Sequence, residues 1–546
     1  MTTKKITKDA KLEIISGVNE IAETISVTLG PSGKCVAIKT PYGTDVTRDG
    51  ATVAKAIDLH GLKGIGSELV QKAASKTEEQ AGDGTSTTSV LLAKLCKEGL
   101  RADGSGFNMN EVRSGMHKAE NRIVEMISTY SQKIGDDDFD KMESIATISA
   151  NNDPEVGKIV ADCVKQVGRD GVITADVAYS LTTEVEITDG MELGRGWSSP
   201  LYVNSPADGK CVMENCLVAV IGERVSSVNQ IVNLLQTVSE SGSPLLLVCD
   251  DIDNIVNATI IANVQRGALR CCVVKGLDFG DGRKNVMEDL AIMTGATHME
   301  PELGKSVSNI TKLDLGHVKK VVISKDNTVI LGGDGDPTLI AERVEVLRSR
   351  LEDPRASDFD KNKFSKRLAN MTGGIAVIRA GGASETEKMN RRATIEDSIL
   401  ATKSALMEGY VPGAGFVYIK AMLELEKDKD FWKSLSGDEI QGAKIVQSSL
   451  TTILHTISSN SGKAGDVVVS EVMRGISQSR KGGNYGLNAK TGIYCNLLEE
   501  GIIDSAKVVR VALQNAVSAA SMILMIDSAV TEEETNDAGV TPDLGL

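Results

Sequence analysis

The sequence predicts a mainly helical protein with a separate α/β domain inserted into it. Three observations carry that reading. Residues 8–29, 64–100 and 109–132 place apolar side chains at helical spacing. From about residue 184 the pattern changes to short apolar runs: EVEITDGMEL, CLVAVIG, SPLLLVCDD, ALRCCVVKG and VKKVVIS. These alternate with helical stretches such as 228–238 and 255–264, the signature of an α/β domain. From Thr394 to about residue 527 the helical pattern returns. A chain of 546 residues is too long for one core, and at about 100–200 residues per domain some three domains are expected.

The elements follow in order. Residues 8–29 and 64–100 read as two long helices, with a β-hairpin between them over Cys35 to Asp49, turning at Pro41-Tyr42-Gly43. Residues 109–132 read as another helix. The α/β part closes with two charged helices at about 338–370, then Gly373-Gly374 and the strand IAVIR. The simplest topology inserts this part into a helical domain made from both chain ends. The crossings pass through Gly190 and Gly373-Gly374, and glycine suits a hinge, although it is commoner in turns. Val511 to Ile526 is the most apolar late segment. Gln514, Asn515, Ser518 and Ser521 interrupt it, so it reads as a buried helix and not a membrane span. The end, TEEETNDAGVTPDLGL, is acidic and turn-rich and reads as a mobile tail.

Composition narrows the function. Net charge is −15 with no basic run, which argues against nucleic acid, because phosphate backbones need clustered Lys and Arg. Aromatics are only 3%, leaving few stacking platforms for bases or sugars. The nine cysteines form no CxxC pair. With no apolar leader in MTTKKITKDAKLEIISGV, they read as reduced and mostly buried in a cytoplasmic protein. The five histidines lack zinc-ligand spacing, so neither a catalytic histidine nor a structural metal is expected.

The sharpest local feature is Gly82-Asp83-Gly84-Thr85-Ser86-Thr87-Thr88. Two glycines around an aspartate allow a tight turn that presents N–H groups at a helix start, where phosphate binds. Asp83 suits Mg²⁺, which takes one or two carboxylates plus phosphate oxygens. Alone, the heptad reads more readily as a polar helix cap. Thr28-Leu29-Gly30-Pro31-Ser32-Gly33-Lys34 imitates a Walker loop but has the wrong spacing, with Cys35 where Ser or Thr is required. It remains a candidate Gly-rich turn against phosphate. Asp278-Phe279-Gly280 imitates a kinase motif without the supporting elements.

Ten segments in order carry a resemblance. They are VTLGPSGK (27–34), TRDG (47–50), AGDGTSTT (81–88), TISANND (147–153) and GMELGRGWSSPLY (190–202). KGLDFGDGRK (275–284), TGGIAVIRAGGASETE (372–387), RRATIEDSILATKSALMEGYVPGAG (391–415), NYGLNA (484–489) and GIIDSAKVVRVALQNA (501–516) complete the set. Together they resemble the group I chaperonins, the GroEL type, over about residues 5–530, as a divergent member. The resemblance implies a three-domain subunit. Residues 1–131 and 409–546 would form a helical equatorial ATP-binding domain. Residues 132–189 and 375–408 would form a small intermediate hinge domain, and 190–374 an α/β apical client-binding domain.

The resemblance also implies roles. Thr28, Leu29, Gly30 and Pro31 would lie along the nucleotide. Asp83 would ligate Mg²⁺, and Gly84, Thr85, Ser86 and Thr87 would hold phosphate oxygens. Asp49 would sit near the γ-phosphate and Asp397 would orient the attacking water, the division of labour that phosphoryl transfer needs. Ile148, Gly413, Asn488, Ala489, Ile502 and Asp504 match other nucleotide-side positions. Potassium is a candidate second cation. Trp197, Leu201, Tyr202, Val232, Leu235, Ile261 and Ala262 would line an apolar client-binding rim; from the residues alone, each reads as core. Homo-oligomeric rings, heptameric by family, would enclose non-native polypeptides.

The departures are specific. Arg48 stands for the usual lysine, Leu487 for a tyrosine, Ala414 for a glycine, and Asn257 for a rim leucine. A Gly-Gly-Met tail is absent. Arg195 and Glu385 match a pair that links neighbouring subunits. Asn257 leaves dependence on a separate co-chaperonin lid open, and with it a second reading, a chaperonin-derived holdase or scaffold without a productive folding cycle. An ordinary small-molecule ATPase would leave the α/β segment unexplained.

Overall fold

The computed structural model describes all residues except 1–3, 41–42, 136–137, 170, 179, 189, 207–208, 278–280, 353–356, 373, 480–482 and 533–546. Pro41-Tyr42, Asp278-Phe279-Gly280, Gly373 of the expected crossing and the end beyond Glu532 therefore lie outside the described residues. The chain forms two compact units. One comprises residues 1–162, 177–182 and 380–546; the other comprises 163–176 and 183–379. The second is an insertion into the first, as the change in hydrophobic period predicts. The architecture is mainly helical with an inserted α/β part, as the sequence predicts.

The first unit is built on the helices Lys11–Ser26, Gly61–Ala81, Thr85–Asp103, Met109–Tyr130, Phe416–Lys427 and Ala506–Ile523. Their periodicity explains the packing. Ile14, Val18, Ile21 and Ile25 fall on one face of the first helix and are fully buried. They join Leu91, Leu92, Leu95, Met116, Ile123 and Val517 in a single core. The expected hairpin is present as Val36–Thr40 paired with Gly43–Thr47.

Three sequence expectations need correction. The stretch 64–100 is two helices, not one, because Gly82-Asp83-Gly84 interrupts it. Before the first helix, Lys4–Lys8 is a strand paired antiparallel with Ser528–Glu532, so Thr531 and Glu532 belong to the sheet and not to a tail. The late helical region also holds short strands: Tyr410–Pro412 pairs with Ile503–Ser505, and Tyr485–Asn488 with Ile493–Asn496.

The second unit centres on a mixed sheet. Its order is Gly190–Leu193, Thr328–Gly333, Gly316–Ile323, Cys211–Val225, Leu245–Ile252, Cys271–Lys275. His298–Met299 also pairs with Cys211–Val225. The pairs at the Cys211–Val225, Leu245–Ile252 and Cys271–Lys275 end are parallel, joined through the helices Val228–Ser241 and Asn254–Gln265. Both faces are covered there, so Val218–Ile221 and Leu245–Cys249 are apolar without alternation and fully buried. A second sheet runs Val172–Val177, Ile375–Ala380, Glu184–Thr188. All nine cysteines are free, and only Cys35 is exposed. Among the described residues no helix is long and apolar enough to cross a membrane.

Candidate nucleotide site and client-binding surface

The helix Gly61–Ala81 ends at Gly82, whose φ of 78° turns the chain back and lets its N–H bond the Glu78 carbonyl at 2.8 Å. Gly84, with φ 97°, then opens the helix Thr85–Asp103. Both lie in the left-handed region, where a Cβ is strained. No side chain caps this second helix. The first-turn N–H groups of Thr85, Ser86 and Thr87 thus lack a capping partner, as an anion site requires. Behind them, Thr77 and Thr88 hydroxyls meet at 2.9 Å, and the amide of Asn515 donates to Thr77 at 3.0 Å and Gln80 at 3.1 Å. This buried network braces the loop from behind.

Thr28 to Pro31 follows the first helix. Thr28 is buried; its hydroxyl donates to the Ile25 carbonyl at 2.8 Å and lies 3.5 Å from Ser86 Oγ. The Asn460 amide donates to the carbonyls of Ser26 and Leu29, each at 2.9 Å, and holds the turn in place. Asp49 caps the short helix Gly50–Ala56, accepting from the N–H groups of Ala51 at 3.0 Å and Thr52 at 2.7 Å.

These segments meet around a cavity of about 630 Å³ within the first unit. Its wall holds Thr28, Leu29, Gly30, Pro31, Asp49, Asp83, Gly84, Thr85, Ser86, Thr87, Ile148, Asp397, Asn488, Ala489, Ile502 and Asp504. Gly413 is the exception. It is not part of the wall, because the turn there presents Ala414 and Gly415 while the Gly413 N–H is bonded to the Ile502 carbonyl at 2.9 Å. Asn488 lines the wall, but its side-chain oxygen accepts from the N–H groups of Lys490 and Thr491.

The wall is strongly acidic. Asp397 projects from the helix Glu385–Glu408, and no hydrogen bond reaches its carboxyl group among the described residues. Burial, followed by repulsion from Asp83, Asp49, Glu78 and Glu396, holds it well above the ordinary carboxylate range. Burial also raises Asp83, with Asp49 adding to the effect while bonds from Ser149 and Gly84 oppose it. Asp504 is pushed up to about 7 by burial and by Asp83. Arg48 and Lys490 are the cationic side chains described in this wall.

Such a set calls for a cation. Among the described residues no three His, Cys, Asp or Glu side chains are grouped to hold a metal ion by themselves. The donor set fits Mg²⁺, which binds through one or two carboxylates and takes its other oxygens from phosphate and water. Asp83 is placed for that role, at the mouth of a helix N-terminus with acidic neighbours.

Arg48, marked in the sequence as a departure within TRDG, and Ser149, which the motif reading did not single out, also line the wall. Arg48 Nη2 donates to the carbonyls of Gly30 at 3.2 Å and Pro31 at 3.4 Å, bracing the turn, while its buried Nε has no partner. Ser149 donates to Asp83 Oδ2. Its signal lay inside TISANND, where a serine four residues before Asp153 looks like ordinary capping.

In the second unit, Leu201 is 54% exposed, and Trp197, Val232, Leu235 and Ala262 are partly exposed. Tyr202 and Ile261 depart from the expectation: at 2% and 9% exposure they belong to the core and offer no rim surface. Asn257 holds Tyr202. Its side-chain oxygen accepts from the Tyr202 hydroxyl at 2.6 Å and lies 3.3 Å from Ser198 Oγ, turning Tyr202 inward. Ile255, 80% exposed, adds apolar surface on the same helix. Arg195 Nε donates to the Gly276 carbonyl at 2.8 Å, and Glu385 pairs with Lys388 at 3.1 Å.

A model of the TCP-1/cpn60 chaperonin family matches residues 21–534. Among solved structures, the chain is similar to the crystal structure of the chaperonin gp146 from the bacteriophage EL 2 (Pseudomonas aeruginosa), determined in the presence of ATP-BeFx. Identity is 19% and the TM-score 0.69, over 98% of this chain and 100% of that one. At that identity the likeness speaks for the fold.

Proposed function

The chain belongs to the TCP-1/cpn60 chaperonin family, and from that premise we propose that it hydrolyses Mg-ATP to drive the capture, enclosure and release of non-native polypeptides by a homo-oligomeric ring. The observation that carries this reading is the position of Asp397. An acid whose carboxyl group accepts no hydrogen bond among the described residues lines the same cavity as Asp83, Asp49 and an uncapped helix start. A triphosphate and several carboxylates share a small cavity only when a divalent cation lies among them.

Bound Mg²⁺ supplies charge neutralisation for the phosphates. Asp83 holds it, while Gly84, Thr85, Ser86 and Thr87 donate N–H and hydroxyl groups to phosphate oxygens. Thr28 to Pro31 forms the opposite wall, and Ile148, Ala489 and Ile502 give apolar contact. Asp397, as the ionised carboxylate, would orient the attacking water and accept its proton. Asp49 adds a fixed negative end near the reacting phosphate.

The finer assignments belong to this reading. Residues 1–131 and 409–546 bind nucleotide, 132–189 and 375–408 form the hinged part, and 190–374 bind clients, in rings of seven. Free, mostly buried cysteines suit a cytoplasmic setting. In steady-state assays Asp397→Ala should lower ATP turnover by roughly 10²-fold or more while nucleotide still binds; unchanged turnover would remove the mechanism.

A second reading rests on Asn257, which turns Tyr202 away from the rim. A smaller apolar face suits a holdase. Refolding of a chemically denatured client separates the two: ATP-dependent recovery supports the cycle, and capture without ATP-dependent release supports the holdase.

A further inference from the structure

Ser149 ends the helix Phe139–Ser149, where three parts of the site meet. Its hydroxyl donates to Asp83 Oδ2, and the carbonyl oxygen of Asp397 lies 3.5 Å from the same Oγ. The other oxygen of Asp83, Oδ1, accepts the N–H of Gly84. Both carboxylate oxygens are thus held from different sides, one by the loop itself and one by a helix far along the chain. That helix is in turn bonded to the helix of Asp397, because Ser398 Oγ donates to the Ala146 carbonyl at 2.9 Å.

We propose that Ser149 is the positioning residue of the metal site, fixing the Asp83 carboxylate for a divalent cation and tying it to the helices that carry Ile148 and Asp397. The inference rests on the reading of Asp83 as the metal ligand. A carboxylate held through only Oδ1 can swing about its Cβ–Cγ bond. The second bond removes that freedom before the cation arrives, so the ordering cost is met in folding and not in binding. Hydrogen bonds to metal-ligating groups act in this way, and their loss typically weakens metal binding about 10–100-fold. A hydroxyl has one proton, so Ser149 donates to the Asp83 carboxylate and cannot also donate to the Asp397 carbonyl. That bond sets the ligand, and the Ser398–Ala146 bond keeps the helix of Ser149 against the helix of the water-orienting acid.

The test uses the full-length chain and calorimetric binding of a non-hydrolysable ATP analogue, across a Mg²⁺ series and in EDTA. For Ser149→Ala the Mg²⁺ concentration at half-saturation should rise about 10-fold or more, while analogue affinity in EDTA stays at the wild-type value. Ser149→Thr, which keeps the hydroxyl, should restore most of the loss, with thermal melting showing both variants folded. An unchanged Mg²⁺ half-saturation in Ser149→Ala overturns the proposal. An equal loss with and without Mg²⁺ also overturns it, since a merely structural role would act on both. If wild-type binding of the analogue shows no Mg²⁺ dependence, the assignment of Asp83 itself fails and this proposal falls with it.

Discussion

A Cβ placed on Gly82 would lie 2.1 Å from the Cβ of Leu400. The helix Glu385–Glu408 therefore rests on bare backbone of the phosphate loop, one turn beyond Asp397, and the Ser404 hydroxyl clamps it there by donating to the Ala81 carbonyl at 2.7 Å. Gly82→Ala should cost roughly 2–4 kcal/mol, from the left-handed backbone and the displaced helix together. It should also lower ATP turnover more than nucleotide affinity, because the displaced helix carries Asp397. Denaturant unfolding and single-turnover hydrolysis measure the two effects; a wild-type unfolding midpoint would contradict the close packing.

How much of this was legible in the sequence depends on range. CLVAVIG and SPLLLVCDD announce buried strands because each run is apolar throughout and bounded by turns. Gly82 to Thr88 announces a tight turn and a helix start because those requirements are local, but alone it reads as a polar cap, and only the resemblance gave it a phosphate role. The pairing of Lys4–Lys8 with Ser528–Glu532 has no such signal, since each strand is stabilised by a partner more than 500 positions away. Asp397 is one acid on a charged helix; its own residues mark nothing, the resemblance implied its role, and the structure adds that it shares a cavity with Asp83. The inward turn of Tyr202 was hidden for a similar reason: nothing around Asn257 says which neighbour its amide oxygen will accept from.

The acids of the cavity set a pH dependence. Asp504, with its pKa raised to about 7 by burial and by Asp83, is protonated in both folded and unfolded chains below about pH 4. Between there and pH 7 the unfolded chain ionises freely while the folded one resists, so stability falls as pH rises; above pH 7 the penalty is complete. Asp504→Asn removes it. In ligand-free protein the variant should be more stable than wild type at pH 8, by on the order of 4 kcal/mol, with the gain shrinking to nothing near pH 4. Melting temperatures across that range decide, and a gain that grows toward low pH would reverse the assignment.

In the α/β unit, Asp289 is 1% exposed and holds two arginines. Arg343 Nε donates to Oδ1 at 2.8 Å, and Arg367 donates to both oxygens, at 2.6 and 2.8 Å. The three residues join the helices Asp281–Thr294, Pro337–Glu352 and Asp358–Thr372. Removing the acid leaves the Arg367 guanidinium at a nearly buried site without its counter-charge, while Arg343 keeps only the half-exposed Glu288, 2.7 Å from its Nη2. Asp289→Ala should therefore cost about 3–5 kcal/mol, read from denaturant unfolding, with amide exchange accelerated in the two later helices. A loss below about 1 kcal/mol would place the cluster among weak surface pairs.

Ala414 offers the opposite sign. Six described residues other than glycine have positive φ: Asp9, Asn151, Asn152, Asn215, Ser479 and Ala414, the last at 56°. The other five carry a polar atom that can bond locally, whereas alanine has only its methyl group and bears the strain uncompensated, about 1–2 kcal/mol. A glycine there relieves it but adds about 0.5–1 kcal/mol of unfolded-state entropy. Ala414→Gly should thus stabilise the protein by roughly 0.5–1 kcal/mol. The Ala414 N–H bonds to the Asp504 carboxyl group, and glycine keeps that N–H, so nucleotide affinity should not change. A higher denaturant midpoint with unaltered binding is the expected pair of results. A lower midpoint would mean that methyl packing against the core outweighs the backbone strain, and the alanine would then be a stabilising departure from the family's glycine.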